Sequence, residues 1–195
     1  ERPILAQIFS ANKENLKKAT KIIYDLGFDG VDLNMGCPDK TIEKQGAGAA
    51  MMKNIKSSRE IILDLKDFIK KINTGGKKDK KFFSLSVKTR IGYVKIDYKN
   101  WLAMILDCEI NILTIHLRTR KELSLVPAHF ELGKEIVDFI KDYCEKNKLS
   151  RPFIIFNGDI ENILSGEIAL KKSEADGIMI GRGMFGTPWI FNKQE

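Results

Sequence analysis

A chain of 195 residues with 43% apolar and 30% charged content can bury a core of its own, and no apolar run reaches membrane-spanning length, which excludes a helical membrane protein. The net charge of +7, carried mostly by lysine, favours polyanionic partners such as RNA, but equally suits a lysine-rich solvated surface, so charge alone selects no function. Three scattered cysteines without CxxC spacing exclude a disulfide scaffold. With an N-terminus, Glu1 to Leu5, that lacks the basic start and apolar stretch of a secretory signal, they predict a reducing, cytoplasmic setting.

In chain order, residues 3–9 read as a strand, followed by a helix marked by Leu16, Ala19, Ile22 and Ile23. A second strand is expected over residues 29–34. The stripe Ile61, Ile62, Leu65, Phe68, Ile69 and Ile72 then predicts a helix, opened by a capping box at Ser57-Ser58-Arg59-Glu60. Residues 73–81, rich in Lys and Gly, read as a solvated connection, and residues 82–88 as a third strand. Tyr98, Trp101, Leu102, Ile105 and Leu106 mark a helix with Asp97 as its N-cap, and residues 111–116 a fourth strand. Phe130, Val137, Ile140 and Cys144 give a further helix, and strands follow at residues 152–156 and 176–181. Several strands lack polar alternation, as expected of strands covered by helices.

Alternating β and α units joined by right-handed crossovers predict a parallel α/β sheet, either doubly wound or part of a (βα)8 barrel. Both architectures bind ligands at the carboxyl ends of their strands. Those ends carry Gln7, Asn34 to Cys37, Lys88 with Arg90, His116 with Arg118, Asn157-Gly158-Asp159 and Gly181-Arg182-Gly183. One site assembled from many strands is the economical reading. The last two ends suit a phosphate: glycines let backbone N–H groups approach an anion, and Arg182 adds a cation. The His and Cys residues lack metal-ligand spacing, so no metal is expected. Cys108 and Cys144 read as core residues, and His129, beside an expected helix start, as incidental.

The segment from Asp29 through Asn34-Met35-Gly36-Cys37-Pro38, followed by Gly46-Ala47-Gly48-Ala49-Ala50, resembles the signature of the dihydrouridine synthases. So do Val87-Lys88-Thr89-Arg90, His116-x-Arg118-Thr119-Arg120, Asn157-Gly158-Asp159-Ile160, and Gly177 to Gly183 followed by Pro188-Trp189-Ile190-Phe191. The resemblance covers essentially the whole chain, in order.

It implies an FMN-binding parallel (βα)8 TIM barrel with a C-terminal helical domain that grips tRNA. This chain would be an incomplete barrel of about six βα units, strands three to eight, with the first two strands and the helical domain outside it. The implied reaction reduces the C5–C6 double bond of uridine in tRNA, with FMN as cofactor and NADPH or NADH as the nicotinamide donor. Cys37 would give the proton to C5. Lys88 would face the N1–O2 edge of the flavin, Gln7 its pyrimidine edge, and His116 would also contact it. Asn157, Asp159, Gly181 and Arg182 would hold its phosphate. Asn34, Arg90 and Arg118 would face uracil or the RNA backbone. Two departures stand out: Leu117 replaces a family glycine and is expected to crowd a close backbone approach, and residues 123–129 lack the usual Tyr and Gly. Two other readings fit part of the pattern. One is a flavin barrel acting on free pyrimidines, such as a dihydroorotate or dihydropyrimidine dehydrogenase. The other is a non-catalytic phosphate- or RNA-binding barrel fragment.

Overall fold

The structure, a computed structural model, describes residues 2–75 and 82–191. Six parallel strands form one sheet: β1 (Leu5–Ile8), β2 (Gly30–Asn34), β3 (Ser84–Arg90), β4 (Ile112–His116), β5 (Phe153–Asn157) and β6 (Gly177–Met179). Their spatial order is their chain order, β1 to β6, without the reversal that defines a doubly wound sheet. Each crossover therefore steps the same way, and right-handed connections place all the helices on one face, as in the wall of a (βα) barrel.

The helices are α1 (Lys13–Asp25), α2 (Lys40–Lys44), α3 (Ile55–Gly75), α4 (Lys99–Asp107), α5 (Gly133–Asn147) and α6 (Ile163–Ser173). The long crossover helices pack in succession, α1 on α3, α3 on α4, α4 on α5 and α5 on α6. The core lies between them and the sheet. Val31, Leu33, Leu85, Val87, Leu113, Ile115, Ile154 and Phe156 point outward from their strands and are almost fully buried against Leu16, Ile62, Leu65, Leu102, Ile105, Ile136 and Ile140. Period-2 alternation turns the intervening residues to the opposite, inner face, and these are polar where the site forms.

Several boundaries differ from the sequence reading for local reasons. Helix α3 begins earlier than the Ser57–Glu60 box: Asn54 caps it, its Oδ1 accepting from Ser57 N–H at 3.0 Å, while Ser58 is buried and donates to Met51 O at 2.7 Å. Asp97 does not cap α4; Tyr98 holds that position without a side-chain cap bond. Helix α3 also runs through residues 73–75 of the expected connection, whose remainder, 76–81, lies outside the described residues. Helix α6 has no sequence counterpart above because it lacks an apolar stripe. It buries only Gly166, Ala169 and Ser173, with Leu164 and Ile168 exposed. Its legible signal was the reciprocal capping box of Asn162 and Ser165.

Leu117 does not crowd the site. Because His116 faces inward, its neighbour faces outward, and Leu117 is fully buried in the core.

Candidate active site

Strand register brings the inward side chains into neighbouring rows. Gln7, Asp32 and Ser86 lie side by side, as do Asn34, Lys88 and Thr114, and then Arg90, His116, Asn157 and Met179. The first two rows are joined by hydrogen bonds. Gln7 Nε2 donates to Asp32 Oδ2 at 2.7 Å, Ser86 Oγ donates to Asp32 Oδ1 at 2.5 Å, and Asn34 Nδ2 donates to Gln7 Oε1 at 2.9 Å. Asp32, which the sequence reading did not single out, thus fixes the Gln7 amide; its signal was a carboxylate inside an otherwise apolar strand. A primary amide has two N–H donors, so Gln7 keeps one beyond the bond to Asp32.

Cys37 follows β2 directly. Asn34 Oδ1 accepts from Gly36 N–H at 3.1 Å and Cys37 N–H at 2.9 Å, an Asx turn that curls the chain back over the sheet. Asn34, expected to face uracil, thus has its oxygen and one N–H engaged within the protein. The Gly-Ala-Gly-Ala segment explains itself here. Ala49 N–H donates to Cys37 O at 2.8 Å, and Gly48, at φ +61°, would place a Cβ 2.7 Å from that same oxygen. From behind, Trp101 Nε1 donates to Thr89 Oγ1 at 2.7 Å, and Thr89 Oγ1 lies 3.5 Å from Met35 O. Trp101→Phe keeps most of the ring but removes this buried donor. It is expected to lower stability by about 1–3 kcal/mol, read as a lower urea midpoint; an unchanged midpoint would contradict the brace.

Lys88 is half-buried and makes no hydrogen bond or ion pair with any described residue. Burial, and then Arg90, push its pKa below the ordinary lysine value, while Asp32 and Cys37 oppose them. His116 is pushed down to about 3 by burial and by Arg90, Lys88 and Arg118, so it is neutral at working pH. Its Nδ1 is buried without a partner.

Arg90 and Arg118 are placed differently from the expectation. Arg90 is buried, donating from Nε to Gly36 O at 2.7 Å and from Nη1 to Thr119 O at 3.1 Å. Burial and Arg118 push its pKa down to about 10. The Arg118 side chain is 3% exposed, with Nε on Val126 O at 2.6 Å and Nη2 on Asp159 Oδ2 at 2.5 Å, and its Nη1 has no partner. Both guanidiniums brace loops: Arg90, at the end of β3, reaches the loop after β4, and Arg118, within that loop, holds Val126 and Asp159.

At the ends of β5 and β6, a cavity of about 520 Å³ is lined by His116, Asn157 to Glu161 and Gly181 to Gly183. Asn157 Nδ2 donates to Met179 O at 2.9 Å, tying the two strand ends together. The Asp159 carboxylate accepts from Arg118 and from Ala128 N–H at 2.9 Å, and Arg182 lies 3.7 Å away. Its side chain therefore organises cations and loop. A Cβ at Gly183 would sit 2.6 Å from Glu161 O, whereas at Gly181 it would meet nothing nearer than Asn157 Nδ2 at 3.9 Å. The first glycine permits the close loop approach, and the second leaves backbone open to a ligand.

His129, expected to be incidental to the site, is held between two carboxylates. Its Nε2 lies 3.0 Å from Glu122 Oε1 and its Nδ1 2.9 Å from Glu131 Oε1, so both ring nitrogens face carboxylates. Burial alone would lower its pKa, but the two carboxylates outweigh it and raise it. The two histidines then give opposite limbs of one stability profile. A raised folded pKa contributes stability below the unfolded value, near 6.5, that is lost as pH rises through the folded value. His116, depressed to about 3, costs stability as pH falls below about 6.5, because only the unfolded chain takes up the proton there. Denaturant titrations should show a maximum near pH ~6.5, with His129→Gln flattening the alkaline limb and His116→Asn the acid limb. Unchanged limbs in both variants would contradict this.

Among the described residues, no group of three or more His, Cys, Asp or Glu could hold a metal ion, and no helix is long and apolar enough to cross a membrane. All three cysteines are free, with Cys108 and Cys144 buried in the core.

Six parallel strands with helical crossovers that bring a cysteine loop, a lysine without a partner among the described residues, and open glycine backbone to one rim define a ligand-binding (βα)-barrel unit. The chain belongs to the dihydrouridine synthase family, whose sequence model matches residues 1–195. Among its curated relatives are a "probable tRNA-dihydrouridine synthase" of Staphylococcus epidermidis, 38% identical over 195 residues, and a "probable tRNA-dihydrouridine synthase 2" of Bacillus subtilis, 37% identical over the same length. Each match covers 100% of this chain and 54% of the relative, so the chain spans about half their length. Solved structures share the fold. A ligand-free DHODH from Eimeria tenella superposes with a TM-score of 0.61 at 14% identity, covering 91% of this chain and 52% of that one. A histamine dehydrogenase from Rhizobium sp. 4-9 does so with a TM-score of 0.53 at 11% identity, covering 91% and 26%.

Proposed function

We propose that this chain carries the flavin and uracil site of a tRNA-dihydrouridine synthase, reducing the C5–C6 double bond of uridine in tRNA with FMN that NADPH or NADH has reduced. The observation that carries the reading is the meeting on one rim of the Cys37 loop with a half-buried lysine that has no partner among the described residues.

The residues present fit FMN. The half-buried Lys88 ammonium faces the same rim as two orphaned polar atoms, His116 Nδ1 and Arg118 Nη1, which are costly unless a polar or anionic ligand satisfies them. Lys88 would lie at the N1–O2 edge, where negative charge accumulates on reduction, and Gln7 would offer its second N–H to the pyrimidine edge. Backbone N–H groups near Gly181 and the Arg182 guanidinium would hold the phosphate, with Asn157 and Asp159 fixing the loops around it. When bound, reduced FMN supplies the hydride for C6 of uracil. Cys37 supplies the proton for C5 as a positioned general acid. Asn34 and Arg90 hold the loop on which that thiol sits.

The names of the relatives and the positive charge support tRNA as the substrate, and free cysteines with a tRNA substrate support a cytoplasmic setting. Purified full-length protein should show flavin absorbance and turn over tRNA lacking dihydrouridine in the presence of NADPH, but not free uracil or dihydroorotate. Turnover of free pyrimidines alone would assign it to the pyrimidine dehydrogenases instead. A full-length protein without flavin would overturn the catalytic reading.

A further inference from the structure

Three successive backbone carbonyls around Cys37 are engaged, and arginines hold the two that flank it. Gly36 O accepts from Arg90 Nε at 2.7 Å, Cys37 O from Ala49 N–H at 2.8 Å, and Pro38 O from Arg120 Nη2 at 3.5 Å. Arg120 comes from the loop after β4 and is itself held by Glu43 on α2, the helix that begins just after Pro38 with Asp39 as its N-cap. Arg120 Nε lies 3.0 Å from both Glu43 oxygens, and Nη2 bonds Oε2 as well. The pair spans 77 residues of sequence.

Its surroundings fix it further. Arg120 N–H donates to Gly92 O at 2.9 Å, and the Tyr93 ring has the Arg120 guanidinium at 5.5 Å from its centroid and the Lys53 ammonium at 4.5 Å. Burial would raise the Glu43 pKa, but hydrogen bonds from Arg120 and Tyr93 hold it below the usual carboxylate range. The side chains of Glu43 and Arg120 are 10% and 22% exposed, with the guanidinium turned toward Glu43 and Pro38. A fork spent in this way is poorly placed to neutralise an RNA phosphate. A mostly desolvated ion pair is also weak support for stability, because its desolvation cost offsets its attraction. What the pair does supply is rigid placement, since a fork bound to both carboxylate oxygens fixes direction as well as distance.

We propose that Arg120 and Glu43 are a positioning pair for the proton donor, clamping the Cys37 loop to the loop after β4. The proposal rests on the reading of Cys37 as the acid. Without the clamp the thiol sits off line from its acceptor carbon, and a displacement of about 1 Å costs on the order of 10²-fold in rate.

The test is a pair of half-reactions measured on full-length flavoprotein. Arg120→Met and Glu43→Gln should each slow uridine reduction in tRNA by pre-reduced enzyme by about 10²-fold, with the loss in the rate at saturating tRNA and not in the NADPH half-reaction. The double variant should be no slower than the slower single, because both remove one contact. Arg120→Lys keeps the charge but loses the fork and should recover only part of the rate. Glu43→Gln carries the test if Arg120→Met fails to fold. Unchanged uridine reduction, full rescue by lysine, or a loss confined to tRNA affinity would overturn the positioning role. A wild-type protein that reduces flavin but not tRNA uridine would instead overturn the function itself.

Discussion

Replacing Cys37 with alanine in the full-length protein is expected to slow uridine reduction by about 10²–10⁴-fold, the usual contribution of a positioned general acid. NADPH should still reduce the flavin, because the thiol acts only in the second half-reaction. The expectation rests on how the loop is built. Asn34 fixes the Cys37 N–H, Ala49 its carbonyl, and Arg90 and Arg120 the carbonyls on either side, so the side chain is the one part of this residue left for chemistry. Alanine preserves all of these backbone bonds, which separates loss of the acid from loss of the loop. Cys37→Ser should recover little, since a hydroxyl is a far weaker acid than a thiol. Uridine reduction at the wild-type rate in Cys37→Ala would remove Cys37 from the mechanism.

Lys88→Met is expected to act on the other half-reaction. The half-buried ammonium has no acceptor among the described residues, and burial and Arg90 already weaken its hold on the proton. An anionic ligand beside it would reverse that balance, and the balance is the energy available to favour a reduced, negatively charged flavin. Methionine fills similar space without charge. Flavin reduction by NADPH should fall by about 10²–10³-fold, the loss typical of one preorganised electrostatic partner. The flavin reduction potential should become more negative, and the protein should stay folded because an uncompensated cation has been removed. An unchanged potential and rate would place Lys88 away from the flavin.

Much of the fold was legible because its strands are buried on their helix-covered face. Val31, Leu33, Val87, Leu113, Ile115 and Ile154 advertise themselves as apolar runs, and the crossover rule then orders them. Alpha-helix α6 escaped because it packs with Gly166, Ala169 and Ser173, which carry no hydrophobic signal. Within the site, strand alternation was enough to bring Gln7, Lys88, His116 and Asn157 to one face. It could not say which cations are spent on the protein itself. Arg90, Arg118 and Asn34 look equally suited to a substrate in the sequence, but the arginines bond Thr119 O and Asp159, remote in sequence, while Asn34 bonds Gln7 on β1 and the nearby Gly36 N–H. Glu43 and Trp101 were missed for the same reason, since their partners lie at Arg120 and Thr89 and no local spacing links them. His129 appeared idle because one of the two carboxylates that raise its pKa, Glu122, reaches it only when the loop folds.

The most direct measurement of the central claim is a map of dihydrouridine in tRNA from cells lacking this gene, compared with the same cells complemented by the full-length protein or its Cys37→Ala variant. Dihydrouridine should disappear from at least one tRNA position in the deletion, return with the wild-type protein and stay absent with the variant. A map identical in cells with and without the gene, in a strain with no second enzyme of this family, would contradict it.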